Sequence, residues 1–172
     1  DSIARRASSR LNIIRALSDS HFGKDRDCLI STYKVFIRSL FDYAAPIVYP
    51  HYSNSSIDKL QKVQNKALRL ALGCHQMSSV DHLHAEAKEL LVSDHLHLLS
   101  AQFLAQTLQP NHVSFPLTSL EQGPRSMKQT LRSKVIDDVR PYIEDDGYIK
   151  RGSYPLVKNL IHTDVVRRAI DR

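Results

Sequence analysis

Four basic side chains, Lys59, Lys62, Lys66 and Arg69, stand 3, 4 and 3 residues apart. On a helix this spacing puts them in an arc of roughly 80°, along about 15 Å of the axis. Cations arrayed this way can track the phosphates of one nucleic-acid strand, each contact releasing condensed counterions. No acid interrupts the run, and Gln61 and Asn65 flank it as neutral hydrogen-bonding groups. The same spacing also describes a solvated lysine face that balances an amphipathic helix, and both readings stand at this point. Arg5, Arg6, Arg10 and Arg15 fan out around an earlier helix and add field without alignment. Arg10, Arg15 and Lys24 join the candidate nucleic-acid-binding set on charge alone.

A helix must carry the ridge. Ser53 to Ser56 supply N-cap candidates for residues Ile57 to Leu72, and Gly73 suits the C′ position. The apolar line Ile57, Leu60, Val63, Ala67 and Ala71 lies on the side away from the lysines. Upstream, the pattern predicts a helix over 2–16 with Ile3, Ala7, Leu11 and Ile14 inward, then a turn at Asp19, Ser20 and Gly23. A second helix over 25–43 has a wide apolar arc of Leu29, Tyr33, Phe36, Ile37, Leu40, Phe41 and Ala44, the mark of a central helix. Lys34, Arg38 and Asp42 occupy its other side, and Ala45-Pro46 ends it. Shorter helices follow over 79–90 and 93–108, the latter apolar nearly all round.

The stretch Gln109 to Pro124 holds three prolines and no period, and reads as a linker. Beyond it come a helix over 128–139, a turn at Glu144 to Gly147, and a short last helix, 164–170, capped by Thr163. The expected fold is all-α: a small helical bundle over 1–108, a linker over 109–125, and a weakly structured helical tail over 126–172.

Other chemistries fit less well. Cys74, His75, His82, His84, His95 and His97 invite a zinc reading, but i, i+2 histidines on a helix point about 200° apart, and there is no Cys-x-x-Cys pair. No metal site is expected. Cys74 beside His75 is expected to be a structural thiol next to a helix-end imidazole. There is no nucleophile elbow, Walker loop or dinucleotide fingerprint, so no catalytic residue is assigned. Tyr33, Tyr43, Tyr49 and Tyr52 cluster around the second helix, where packing is the expected role.

The 172 residues are 42% hydrophobic and 24% charged, which excludes a disordered polymer and suits one domain with an appendage. Net charge is +6. Residues 1–73 hold twelve Lys/Arg against six Asp/Glu, and residues 74–172 hold twelve against twelve, so the whole excess lies in the first part. Two cysteines and the lack of a signal-like start favour a reducing, intracellular setting, nucleus or cytoplasm. No apolar run approaches the roughly 18 residues of a membrane span. Residue 1 is Asp and the methionines are Met77 and Met127, so a piece of a longer chain is expected.

Residues 10–108 closely resemble the segment after the catalytic palm in jockey-like non-LTR (LINE-type) retrotransposon reverse transcriptases. The likeness rests on LNIIRAL, the aromatic-Gly-Lys-Asp stretch Phe22 to Asp25, TYK at Thr32 to Lys34, DYAAPI, QNKALRLALGCH, and His-Leu-His-x-Glu from His82 to Glu86. The ending IHTDVVRRAIDR is similar to the weakly patterned end of such polyproteins. The resemblance implies a thumb and helical extension that grips the template–primer duplex, RNA–DNA or DNA, beside the palm of the same polyprotein. It gives the basic ridge a target and implies a structural role for the His-Leu-His stretch, with Leu83 inward.

That family's Tyr-x-Asp-Asp carboxylates, which hold two metal ions, are absent. Val139, Tyr142 and Asp145-Asp146 are only superficially similar, because Asp145-Asp146-Gly147 is turn-prone. No cofactor is expected in this chain, Mg2+ belonging to the palm, and no membrane partner is expected. A helical protein-interaction module docking through 93–108, or a nonfunctional transposon remnant, are the alternatives. If all four ridge cations engage phosphates, log K against log salt should slope at about −3.6, a loss on the order of 100-fold between 50 and 200 mM. Leu29, Phe36 and Leu40 are expected partly to face the palm, so the chain alone should be marginally stable. Calorimetry checks this, and a cooperative melt above about 70 °C contradicts it.

Overall fold

The computed structural model describes residues 2–18, 24–43, 45–49, 52–110 and 129–171, without the side chains of 47 and 129–133. The expected turn at Asp19 to Gly23 and most of the linker over 109–125 lie outside the described residues. The protein is all-α: among the described residues the only β pairing is one isolated bridge, Ile143 to Ile149. The chain divides into two compact units, residues 1–43 with 53–93, and residues 44–52 with 94–172. The boundary thus falls inside the helix that the sequence pattern places before a linker.

In the first unit, α1 (Ser2–Leu17) buries Ala7, Leu11 and Ile14 as its 3.6-residue period requires. Helix α2 (Arg26–Tyr33) starts at Asp25, whose side chain accepts from Asp27 N (3.2 Å). It runs on through a π-helical turn, Lys34–Arg38, into α3 (Ser39–Asp42). The single α-helix expected over 25–43 therefore has a widened turn at its centre. Leu29, Tyr33, Ile37 and Phe41 repeat every four residues and are all buried. An ideal α-helix would drift about 40° at each such step, and a wider i→i+5 turn winds that drift back. The adjustment turns Phe36 outward, 45% exposed beside Val35 at 63%, while Leu40 is half-buried. Of the residues expected to face a palm, Leu29 is instead buried.

Helix α5 (Asn54–Leu72) packs against α1, α2 and α6 (Val80–Ala87). Its N-cap is Ser53, accepting from Ser56 N at 3.3 Å, and Gly73 closes it in the left-handed region at φ 65°. Between α6 and α7 (Val92–Thr107) the chain is strapped down. Lys88 takes φ 53°. Glu89 then buries its carboxylate, receiving Lys34 Nζ at 2.7 Å on one oxygen and Arg38 Nη1 at 2.8 Å on the other. Arg38 Nε also lies 3.5 Å from Asp42. Gln64, buried on α5, donates to Leu90 O (3.0 Å), and Val92 N donates to Gln61 Oε1 (2.8 Å). Nearby, Arg26 pairs with Glu86. Among the described residues the buried Tyr33 hydroxyl has no partner in hydrogen-bond geometry, and burial, reinforced by Glu89, pushes the phenol far above its usual range.

The second unit contains α4 (Ala45–Val48), α7 from Asp94 onward, α8 (Gln129–Val139), a 3-10 turn (Arg140–Tyr142) and α9 (Tyr154–Ile170). Pro46 lies in the first turn of α4, where a missing N–H costs nothing. Leu96, Leu98, Ala101, Ala105, Leu108, Val135, Val139, Ile149, Val157, Ile161 and Val165 are buried. Asp138 accepts from His97 Nε2 (2.5 Å) and from both Arg168 terminal nitrogens (3.0 and 2.8 Å). Burial alone raises this carboxyl, but the His97 and Arg168 hydrogen bonds outweigh it and hold the pKa at about 2. The last helix is longer than expected and starts at Tyr154 with Pro155 in its first turn. Thr163 is no cap; its hydroxyl donates to Asn159 O (2.9 Å) inside the helix.

Glu89→Ala leaves Arg38 and Lys34 without their buried acceptor. The loss should be about 3 kcal/mol, the low end for breaking a buried pair because Lys34 is partly solvated. Chemical denaturation of the variant against the parent measures it.

Candidate nucleic-acid interface

The caps of α5 fix its length, and its buried line of Leu60, Val63, Gln64, Ala67, Leu68 and Ala71 fixes its rotation. That rotation puts Lys59, Lys62 and Lys66 in solvent, all three exposed. Their line lies about 140° around the helix from the buried one. Lys62 and Lys66 have no ion-pair partner among the described residues.

Arg69 departs from the ridge. It is half-buried, its Nη2 donating to Ser78 O (3.1 Å) and its buried Nε having no hydrogen-bond partner among the described residues. Its own carbonyl accepts from Cys74 N (3.0 Å). Arg69 thus secures the turn after α5, and the exposed ridge is three lysines long. Arg10 is also drawn inward, donating to Phe36 O (2.7 Å) on the π turn. Arg15 stays exposed with Nη1 on Asn12 Oδ1 (2.9 Å), and Lys24 is exposed at the entry to α2.

Gln61 and Asn65 do not serve the ridge. Gln61 Nε2 donates to Gln64 Oε1 (2.9 Å) and Asn65 Oδ1 (2.8 Å), and lies 3.2 Å from His84 Nε2. Asn65 Oδ1 lies 2.9 Å from the same His84 nitrogen. Because the Glu89 carbonyl can only accept, His84 Nδ1 carries the hydrogen and donates to it at 3.0 Å. These polar side chains belong to the interior between α5, α6 and the strap. Heptad-like spacing does not reveal this, since positions beside an amphipathic stripe look alike whether a neighbouring helix covers them or water does.

The remaining candidates stay apart. His82 is exposed and His84 buried, as helical i, i+2 geometry dictates, and Leu83 is in the core. His97 is engaged by Asp138 and meets Tyr49 edge-on, with ring centroids 6.0 Å apart. Among the described residues no three His, Cys, Asp or Glu side chains converge as a metal site. Cys74 Sγ faces Leu72 O at 3.9 Å, while His75 Nδ1 accepts from Met77 N (3.2 Å). Asp145 and Asp146 sit exposed in a turn closed by Gly147 N to Glu144 O (2.9 Å), with Asp146 Oδ1 taking Tyr148 N (3.0 Å). Tyr33 and Tyr49 are buried, but Tyr43 is 93% exposed, so packing is not its role.

Comparison with protein-family models, curated proteins and solved structures finds no match. Among the described residues no helix is long and apolar enough to cross a membrane.

Burial lowers the His84 pKa from its ordinary 6.5, against the Glu89 carbonyl and carboxylate and Asp81, which raise it; Arg69 adds a further lowering. A folded value below the unfolded one means this group's stability is complete above about pH 6.5 and drains away as pH falls through the folded value. The thermal midpoint of the parent should therefore fall more steeply than that of His84→Gln between pH 7.5 and 5. Parallel slopes would show that the buried imidazole contributes nothing there.

Proposed function

We propose that this chain is a nucleic-acid-gripping helical region of a reverse transcriptase from a jockey-like non-LTR retrotransposon, acting beside a catalytic palm. The attribution to that enzyme rests on the resemblance of residues 10–108. The observation that supports a polyanion contact is the line of exposed Lys59, Lys62 and Lys66, set opposite the buried side of a rigidly capped helix. Lysines are hydrated point charges on flexible stems, suited to backbone phosphates and not to reading base edges. The contact is therefore with an RNA–DNA or DNA duplex backbone, without sequence preference. No residue here is assigned a catalytic role, and the chain contributes grip and not phosphoryl chemistry.

The alternative, an interaction module docking through residues 93–108, has less support: Leu96, Leu98, Ala101, Ala105 and Leu108 are already buried, and Phe103 is the exposed large apolar side chain of that segment.

With Arg69 withdrawn from the ridge, three phosphate contacts replace four. Binding of the chain to an RNA–DNA hybrid, followed by anisotropy, should give a salt slope of about −2.7, roughly a 40-fold loss between 50 and 200 mM. Replacing Lys59, Lys62 and Lys66 by Gln should abolish most of the slope and leave the helical circular dichroism unchanged. No association, or one indifferent to salt, would overturn the reading.

A further inference from the structure

Residues 5–8 read Arg-Arg-Ala-Ser, with guanidinium groups three and two positions ahead of a hydroxyl. Arg5, Arg6 and Ser8 are all exposed on α1, and only Ala7 among them is buried. Paired cations at this distance from a serine match the charge pattern by which arginine-directed protein kinases select substrates through acidic subsites. Such enzymes take their substrates extended, so the helix must open locally at this point.

The fold permits that opening over a defined length. The first turn of α1 carries no acid, and Arg5 and Arg6 lie toward its positive dipole end, which disfavours helix there. Among the described residues before Leu11, Ala7 alone is buried, its methyl group a small anchor, and Ile3 and Ala4 are half-buried. Arg10 then ties α1 to the π turn through Phe36 O at 2.7 Å, and Leu11 and Ile14 anchor the rest. Opening can reach Ser8 and Ser9 without disturbing the packed half of the helix.

We propose that Ser8 is a phosphorylation site for an arginine-directed serine/threonine kinase, presented by local opening of residues 2–9. The γ-phosphoryl group of Mg-ATP passes to Ser8 Oγ: the bond to ADP breaks, the Oγ–P bond forms, and the hydroxyl proton leaves to the kinase's base. On closure the phosphate lies one turn from Arg5 and toward the positive end of the helix. It brings close to two negative charges to the most basic part of the chain.

The test incubates the full chain with the catalytic subunit of cyclic-AMP-dependent kinase and Mg-ATP, and locates the phosphate by tandem mass spectrometry. Label should appear at Ser8 and vanish from that peptide in Ser8→Ala, whose thermal midpoint should match the parent's. Arg5→Gln and Arg6→Gln should each slow labelling by roughly tenfold or more, as expected for one lost charge-assisted hydrogen bond. Arg10→Gln should leave the rate unchanged, because its bond to Phe36 O lies beyond the segment that opens. Preferential labelling of another residue, or incorporation no greater than in Ser8→Ala, would overturn the site. A faster rate in Arg10→Gln would overturn opening confined to residues 2–9.

Discussion

The first unit depends on one buried carboxylate. Glu89 enters a non-helical segment between two helices, where its own backbone also bonds to α6, and it draws Lys34 and Arg38 onto its two oxygens. Charges in so dry a place are tolerable only when paired and hydrogen-bonded. The pairing therefore dictates geometry: Lys34 and Arg38, four residues apart, must both reach one carboxylate while Tyr33, Ile37 and Phe41 stay inward. The π turn of residues 34–38 meets both demands at once, and Arg10 and Ser39 then occupy two carbonyls within it, those of Phe36 and Val35.

The rotation of α5 follows from the same strap. Gln64 holds Leu90 O and Gln61 holds Val92 N, so the helix is fixed by its polar flank as well as by its apolar line. A helix held only by Leu and Val contacts can slip or roll at small cost, because dispersion contacts have no direction. Hydrogen bonds to main-chain groups do have direction. They fix which side of α5 is left for Lys59, Lys62 and Lys66.

The legible parts of the fold were those governed by local rules. Ser53 and Gly73 marked the ends of α5 because caps are chemically specific, and Ala7, Leu11 and Ile14 marked the inner face of α1 because the period alone decides it. The π turn was not legible: the four-residue repeat of Leu29, Tyr33, Ile37 and Phe41 is in the sequence, but the pairing of Lys34 and Arg38 with Glu89, more than fifty residues away, is not. Nor was the full length of α9, where Thr163 offered a persuasive cap that the hydroxyl satisfied from within by bonding Asn159 O. In the candidate site, the spacing of the four cations was read correctly, but the fate of Arg69 was not. Its guanidinium found a carbonyl in the turn that follows its own helix, and no periodicity reports that.

Arg69 illustrates a division of labour between the two basic side chains. Arg10, Arg38, Arg69 and Arg168 each spend their guanidinium on a carbonyl or carboxylate of the fold, whereas Lys59, Lys62 and Lys66 remain exposed. The physical ground is that a planar guanidinium is weakly hydrated and offers several donors in fixed directions, so the interior can use it. An ammonium loses more by leaving water. Lys34 is the instructive exception, drawn in only where a buried carboxylate compensates, and even there 41% exposed. What α5 presents is three exposed ammonium groups, which can neutralise phosphates but cannot grasp one in the bidentate fashion that fixes register.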